Sequence, residues 1–73
     1  MDWLDVNDVL YDGKKDEIAK LRCPDCGGNI EYEYERDIAV FKVMCPDCGY
    51  VSKENGAPEP NCAKIYGTKY TIK

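Results

Sequence analysis

Alternation of polar and apolar residues is strictest in "NIEYEYE", residues 29–35. Ile30, Tyr32 and Tyr34 fall on one side, and Glu31, Glu33 and Glu35 on the other, which predicts a β-strand with one wet face. "IAVFKVM" follows directly after Arg36-Asp37. A tight hairpin at that dipeptide pairs Tyr34 with Ala39, Tyr32 with Phe41 and Ile30 with Val43, with all six on one face. Glu31 then meets Lys42 across the strands. A slip of one residue would carry Phe41 to the glutamate side, so the pattern fixes which residues face inward. Arg-Asp lacks the glycine of the favoured two-residue turns, which leaves the turn type open.

The flanking stretches are less regular. In "MDWLDVNDVLYDG", Trp3, Val6 and Leu10 follow helical spacing. Asp2 with Asp5 three residues later is a weak capping pattern, and Gly13 is a plausible stop. An N-terminal helix or arm over residues 1–13 is the expectation. "KKDEIAKLR" fits either a helical turn through Ile18 and Leu21 or a short strand through Ala19 and Leu21. The strand is preferred because this segment delivers Cys23 to a turn. Asn55-Gly56 and two prolines mark residues 54–61 as loop. "CAKIYGTKYTIK", residues 62–73, alternates again and reads as a third strand, with Tyr66, Tyr70 and Ile72 on one face and a break near Gly67.

At 73 residues the chain has room for one small domain. So short a chain rarely holds itself together by hydrophobic burial alone, so a metal or disulfide staple is expected. The candidates are Cys23, Cys26, Cys45, Cys48 and Cys62, an odd number that does not close into disulfides. The acidic start "MDWLDVNDVL" is unlike a basic targeting segment, and no apolar run approaches a membrane span. A reducing, cytoplasmic setting is therefore expected, where paired cysteines more often bind metal than form disulfides.

The cysteines form C-x2-C-x18-C-x2-C, written as the near-identical phrases "CPDCGG" and "CPDCGY". Two residues between cysteines let both sulfurs turn to one point. Pro24 and Pro46 stiffen each turn, and Gly27 and Gly49 supply the positive φ that follows. Eighteen intervening residues suffice for a hairpin that brings both pairs together, so Cys23, Cys26, Cys45 and Cys48 are the expected ligands of one structural zinc ion. Four thiolates and a divalent cation would move the formal charge from −4 to about −6.

These residues resemble the zinc-ribbon families. The likeness covers roughly residues 21–50, with the last strand expected to belong too, and implies a small three-stranded antiparallel sheet around a mostly structural metal. The phrases also resemble the knuckles of rubredoxins, which carry iron for electron transfer. The insert there is longer and set in an aromatic core, whereas this one is short and acidic, which favours zinc. The hairpin tip "YERDI" is similar to the acidic tip of the zinc ribbons in transcript-cleavage elongation factors. It departs from that pattern because Arg36 separates Glu35 from Asp37 and the insert is shorter.

Charge narrows the remaining functions. Residues 23–48 carry six acids and two bases, and residues 49–73 two acids and four bases. Most of this surface repels a phosphate backbone. There is no histidine, and the carboxylates form a stripe rather than a convergent pair, so catalysis is not expected. The expectation is a non-catalytic module that binds a protein partner, as an adaptor or inhibitor in transcription or other nucleic-acid machinery. Contact would be made by Trp3 and Leu4 or by Glu31, Glu33, Glu35 and Asp37. Alternatives are a nucleic-acid-binding ribbon using Lys64, Tyr66, Lys69 and Tyr70 on the last strand, and an iron electron carrier. No small-molecule substrate is expected. Cys62 has no partner by spacing.

Overall fold

A computed structural model describes all 73 residues. Three short helices cover one face of a four-stranded antiparallel sheet. The elements are α1 (Trp3–Asp12), α2 (Lys15–Ala19), β1 (Ile30–Glu35), β2 (Val40–Met44), β3 (Val51–Asn55), α3 (Asn61–Tyr66) and β4 (Lys69–Ile72), and the strand order is β3-β2-β1-β4.

Helix α1 forms as its spacing predicts. Asp2 accepts from the Asp5 backbone N–H at 3.0 Å, and Asp5 accepts from the Asp2 N–H at 3.1 Å, a reciprocal cap. Val6 and Leu10 are buried against the sheet. In α2 the helical turn, rather than the preferred strand, is what forms. Ile18 and Leu21 are both buried, as a three-residue helical spacing allows. Glu17 accepts from the Lys14 N–H at 2.9 Å and so caps the turn.

The central hairpin keeps its predicted faces but not its predicted partners. Tyr34 pairs with Phe41, Tyr32 with Val43 and Glu33 with Lys42. The expected pairing is therefore displaced by two residues, which leaves every side chain on its own face. The reason lies in the turn. A two-residue Arg-Asp turn would hold both residues at positive φ, whereas residues 36–39 together close the loop with only Ala39 there, at φ 53°.

The sheet has four strands, not three. Residues 51–55 pair with β2 although the stretch reads as the approach to a loop. They are nearly all exposed, so no apolar alternation announces them. They are laid down by the reversal at Cys45–Tyr50, where the Cys45 N–H donates to the Tyr50 carbonyl at 2.9 Å. The expected strand over 62–73 divides into α3 and β4. "CAKIY" puts apolar groups on both sides of a strand, but a helix gathers Cys62, Ala63, Ile65 and Tyr66 into one stripe and turns Lys64 outward. Gly67, at φ 96°, ends the helix and lets β4 pair with β1.

The core lies between the helices and the inner sheet face, where Val6, Leu10, Ile18, Ile30, Tyr32 and Ile72 are all fully enclosed. Tyr32 and Tyr34 direct their hydroxyls across this layer to main-chain carbonyls of Cys62, Gly67 and Ala57. The glutamate stripe faces the opposite, open side.

Candidate metal centre

The chain approaches the site twice by the same local geometry. In the first turn the Gly27 N–H donates to the Cys23 carbonyl at 2.8 Å, and the Cys23 N–H to the Gly28 carbonyl at 2.9 Å. In the second, the Gly49 N–H donates to the Cys45 carbonyl and the Cys45 N–H to the Tyr50 carbonyl, each at 2.9 Å. Gly27 and Gly49 have φ of 73° and 83°, the left-handed conformation that the repeated phrase anticipates.

The β1–β2 hairpin starts from one turn and ends in the other, so both lie at its open end. Cys26 and Cys45 sulfurs stand 3.5 Å apart, Cys23 and Cys48 sulfurs 3.7 Å apart, and all four lie within 4.8 Å of one another. Four sulfurs each about 2.3 Å from a central ion would be separated by about 3.8 Å at the edges of a tetrahedron. The cluster is thus the right size for one metal ion. The two turns contribute alike: the first cysteine of each, Cys23 and Cys45, is buried, while the second, Cys26 and Cys48, is exposed.

Electrostatics point the same way. Burial disfavours the Cys23 thiolate, but backbone N–H groups of Cys26 and Asp25 and the neighbouring thiols outweigh it and draw its pKa down to about 7. Cys26 is pushed up to about 12: the Gly28 N–H favours its thiolate, but burial and the surrounding thiols prevail. Cys48 is also raised, the Tyr50 N–H being outweighed by burial and by Cys45 and Cys23. Sulfurs this close resist carrying several negative charges together unless a cation sits among them.

The residues around the sulfurs break the symmetry of the two phrases. Asp47 accepts from the Asn29 N–H at 2.8 Å, which ties the second turn to the base of β1. Its carboxylate lies so close to Gly28 that a Cβ there would collide with it. Asp25, the matching residue of the first turn, accepts from the Trp3 indole N–H at 3.0 Å instead. The Trp3 ring also stacks on Tyr50, with centroids 3.9 Å apart and planes 9° from parallel. Sequence reasoning missed the parts played by Asp25, Asp47 and Tyr50. The available signal was the aspartate repeated within each phrase, which chelation by sulfur alone does not require.

The other candidate residues do not assemble as expected. Trp3 is occupied by these contacts, while Leu4 beside it is 74 % exposed. Glu31, Glu33 and Glu35 lie on the far face of the sheet, so the expected partner contacts form two separate surfaces. The glutamate stripe is not purely acidic, because Glu33 lies between Lys42 on β2 and Lys69 on β4. The Lys69 Nζ stands 4.0 Å from a Glu33 carboxylate oxygen. At the hairpin tip Asp37 is exposed, and Arg36 is turned away to Glu59 at 2.9 Å.

The four residues of the nucleic-acid alternative are likewise divided. Tyr66 stacks on Tyr70 with centroids 4.4 Å apart and donates its hydroxyl to the Lys15 carbonyl. Lys69 belongs to the opposite face of the sheet, and Lys64 is on α3 rather than on a strand. Cys62 is wholly buried away from the other four, and burial pushes its thiol up to about 12.

No helix is long and apolar enough to cross a membrane. No family model, curated protein or solved structure was found to match the chain.

Proposed function

We propose that this chain is a non-catalytic protein-interaction module of zinc-ribbon type, stabilised by one structural zinc ion at Cys23, Cys26, Cys45 and Cys48. The observation that carries the metal reading is the sulfur cluster, with edges of 3.5 and 3.7 Å and every pair within 4.8 Å. A shell closed by four thiolates keeps no position for substrate or water, which favours a structural ion over a catalytic one. Iron fits the same spacing, so elemental analysis of the purified protein separates a zinc module from an iron electron carrier. The thiolates call for the reducing interior of a cell.

A protein partner is favoured by the surface. The two hollows on the molecule, of about 170 and 200 Å³, are smaller than the roughly 300–1,000 Å³ of ordinary ligand pockets. Both are lined mainly by charged side chains. Helix α1 and its cap carry Asp2, Asp5, Asp8 and Asp12 with no basic residue, next to the exposed Leu4. Such a surface complements a basic one. An adaptor or inhibitor that covers a basic, nucleic-acid-facing site in transcription machinery would have this character.

The test is capture of a partner by the zinc-loaded protein. Leu4→Glu serves as the control, because Leu4 is free while Trp3 is engaged in the fold. Loss of capture in Leu4→Glu with an unchanged melting temperature supports the reading. Salt-sensitive binding to oligonucleotides with no protein captured would replace it with the nucleic-acid alternative.

A further inference from the structure

The two metal-binding turns are joined by a side chain from outside both of them. Trp3, the first residue of α1, gives its indole N–H to Asp25, which stands between Cys23 and Cys26. Its ring lies flat on Tyr50, two residues beyond Cys48. One contact belongs to the first turn and the other to the second. Both are made together in the arrangement that also gathers the four sulfurs.

We infer that Trp3 is a positioning residue for the metal centre: it clamps the two cysteine turns at their metal-binding separation and so tightens the hold on the ion. This rests on the metal reading above and adds to it a residue that is not a ligand. The physical basis is linkage. A contact formed only in the closed arrangement of the turns adds its free energy to metal binding, and the bound metal in turn holds the contact. Groups that orient ligands from outside commonly change metal affinity by about 10- to 100-fold when removed. The clamp also explains why the aspartates of the matched phrases differ in their partners. Asp47 faces the first turn and serves it directly, whereas Asp25 faces α1 and is served by Trp3.

Zinc affinity of the full chain, measured by competition with a chromophoric chelator, tests this. Trp3→Phe keeps an aromatic ring for stacking and removes the N–H with part of the ring; Asp25→Asn keeps the size of the side chain and an acceptor oxygen, and Asp25→Ala removes the acceptor and its charge. Trp3→Phe and Asp25→Ala are each expected to weaken zinc binding about three- to tenfold, the effect of one hydrogen bond, and Asp25→Asn by less. The double variant is expected to be no weaker than either single variant within a factor of two, because both remove the same bond. Trp3→Ala, which loses the stack as well, is expected to weaken binding by about 10- to 100-fold; if it does not fold, the two milder variants decide. Val6→Ala loosens the same helix in the core and leaves both Trp3 contacts in place. It should lower the melting temperature and, measured at a temperature where both metal-free chains stay folded, leave zinc affinity within a factor of two.

Additive losses in the double variant, or an unchanged affinity in Trp3→Phe, would overturn the clamp while leaving the metal reading intact. So would a loss in Val6→Ala as large as in Trp3→Phe. A wild-type chain that binds no zinc would overturn both.

Discussion

Tyr32→Phe tests the packing of the C-terminal half at a single atom. Tyr32 is fully buried, and its hydroxyl lies 2.9 Å from the Cys62 carbonyl and 2.7 Å from the Gly67 carbonyl, in the first turn and at the cap of α3. The single O–H is shared between these two carbonyls, one near each end of α3, and so holds the helix against β1. The substitution keeps the ring and so leaves almost no cavity. It costs the net hydrogen bond, about 1 kcal/mol, and part of the roughly 1–3 kcal/mol for a buried carbonyl left without its donor.

A total of about 2 kcal/mol lowers the melting temperature of a domain this size by roughly 8–16 °C. Thermal denaturation followed by circular dichroism, with zinc held saturating in both proteins, measures it. Tyr66→Phe is the comparison, because the Tyr66 hydroxyl bonds the Lys15 carbonyl at a site open to water. It should change stability by less than about 0.5 kcal/mol. If Tyr32→Phe melts with wild type, or if both variants lose equally, the buried double contact is not what anchors α3.

Two more predictions concern positions away from the sulfurs. Ala39→Gly should stabilise the protein by about 0.5–1 kcal/mol in urea unfolding, because Ala39 sits at φ 53°, where a Cβ is strained; destabilisation would show that the loop relaxes elsewhere. Burial raises the Cys62 thiol to about 12, above its unfolded value of about 8.5. Above that lower value the unfolded chain loses the proton and the folded chain keeps it, so stability falls as pH rises from about 8.5 toward 12. Zinc-saturated Cys62→Ala should therefore lose less stability than wild type between pH 8 and 10, and parallel curves would refute the shift. In the native protein this thiol should also resist alkylation until the chain unfolds.

What could be read from the sequence was whatever local chemistry alone decides. Asp2 and Asp5 cap a helix wherever it lies, and alternation in "IEYEYE" sorts its faces in any sheet. The sulfur cluster belongs to this class, since two short turns on one hairpin have little choice about where their cysteines meet. The misreadings arise where distant residues decide. The exposed "VSKEN" has no apolar rhythm and becomes a strand only because the Cys45–Tyr50 reversal lays it beside β2. "CAKIY" admits two conformations, and the inner sheet face, with Tyr32 reaching for its carbonyls, selects the helix. Register failed by two residues because one left-handed alanine closes a longer loop than the Arg-Asp dipeptide suggested. The sequence offers Trp3 as a contact for a partner, whereas in the fold it is engaged within the chain. What it touches depends on Asp25 and Tyr50, which only the folded chain brings to it.

In the proposed reading four thiolates hold one zinc ion, and this ion stabilises the fold. The most direct test is elemental analysis of the purified protein, coupled to a melt of the same sample before and after a strong chelator. One zinc per chain is expected, with a large fall in melting temperature on chelation that added zinc restores. A metal-free protein whose melt the chelator does not change would contradict this reading.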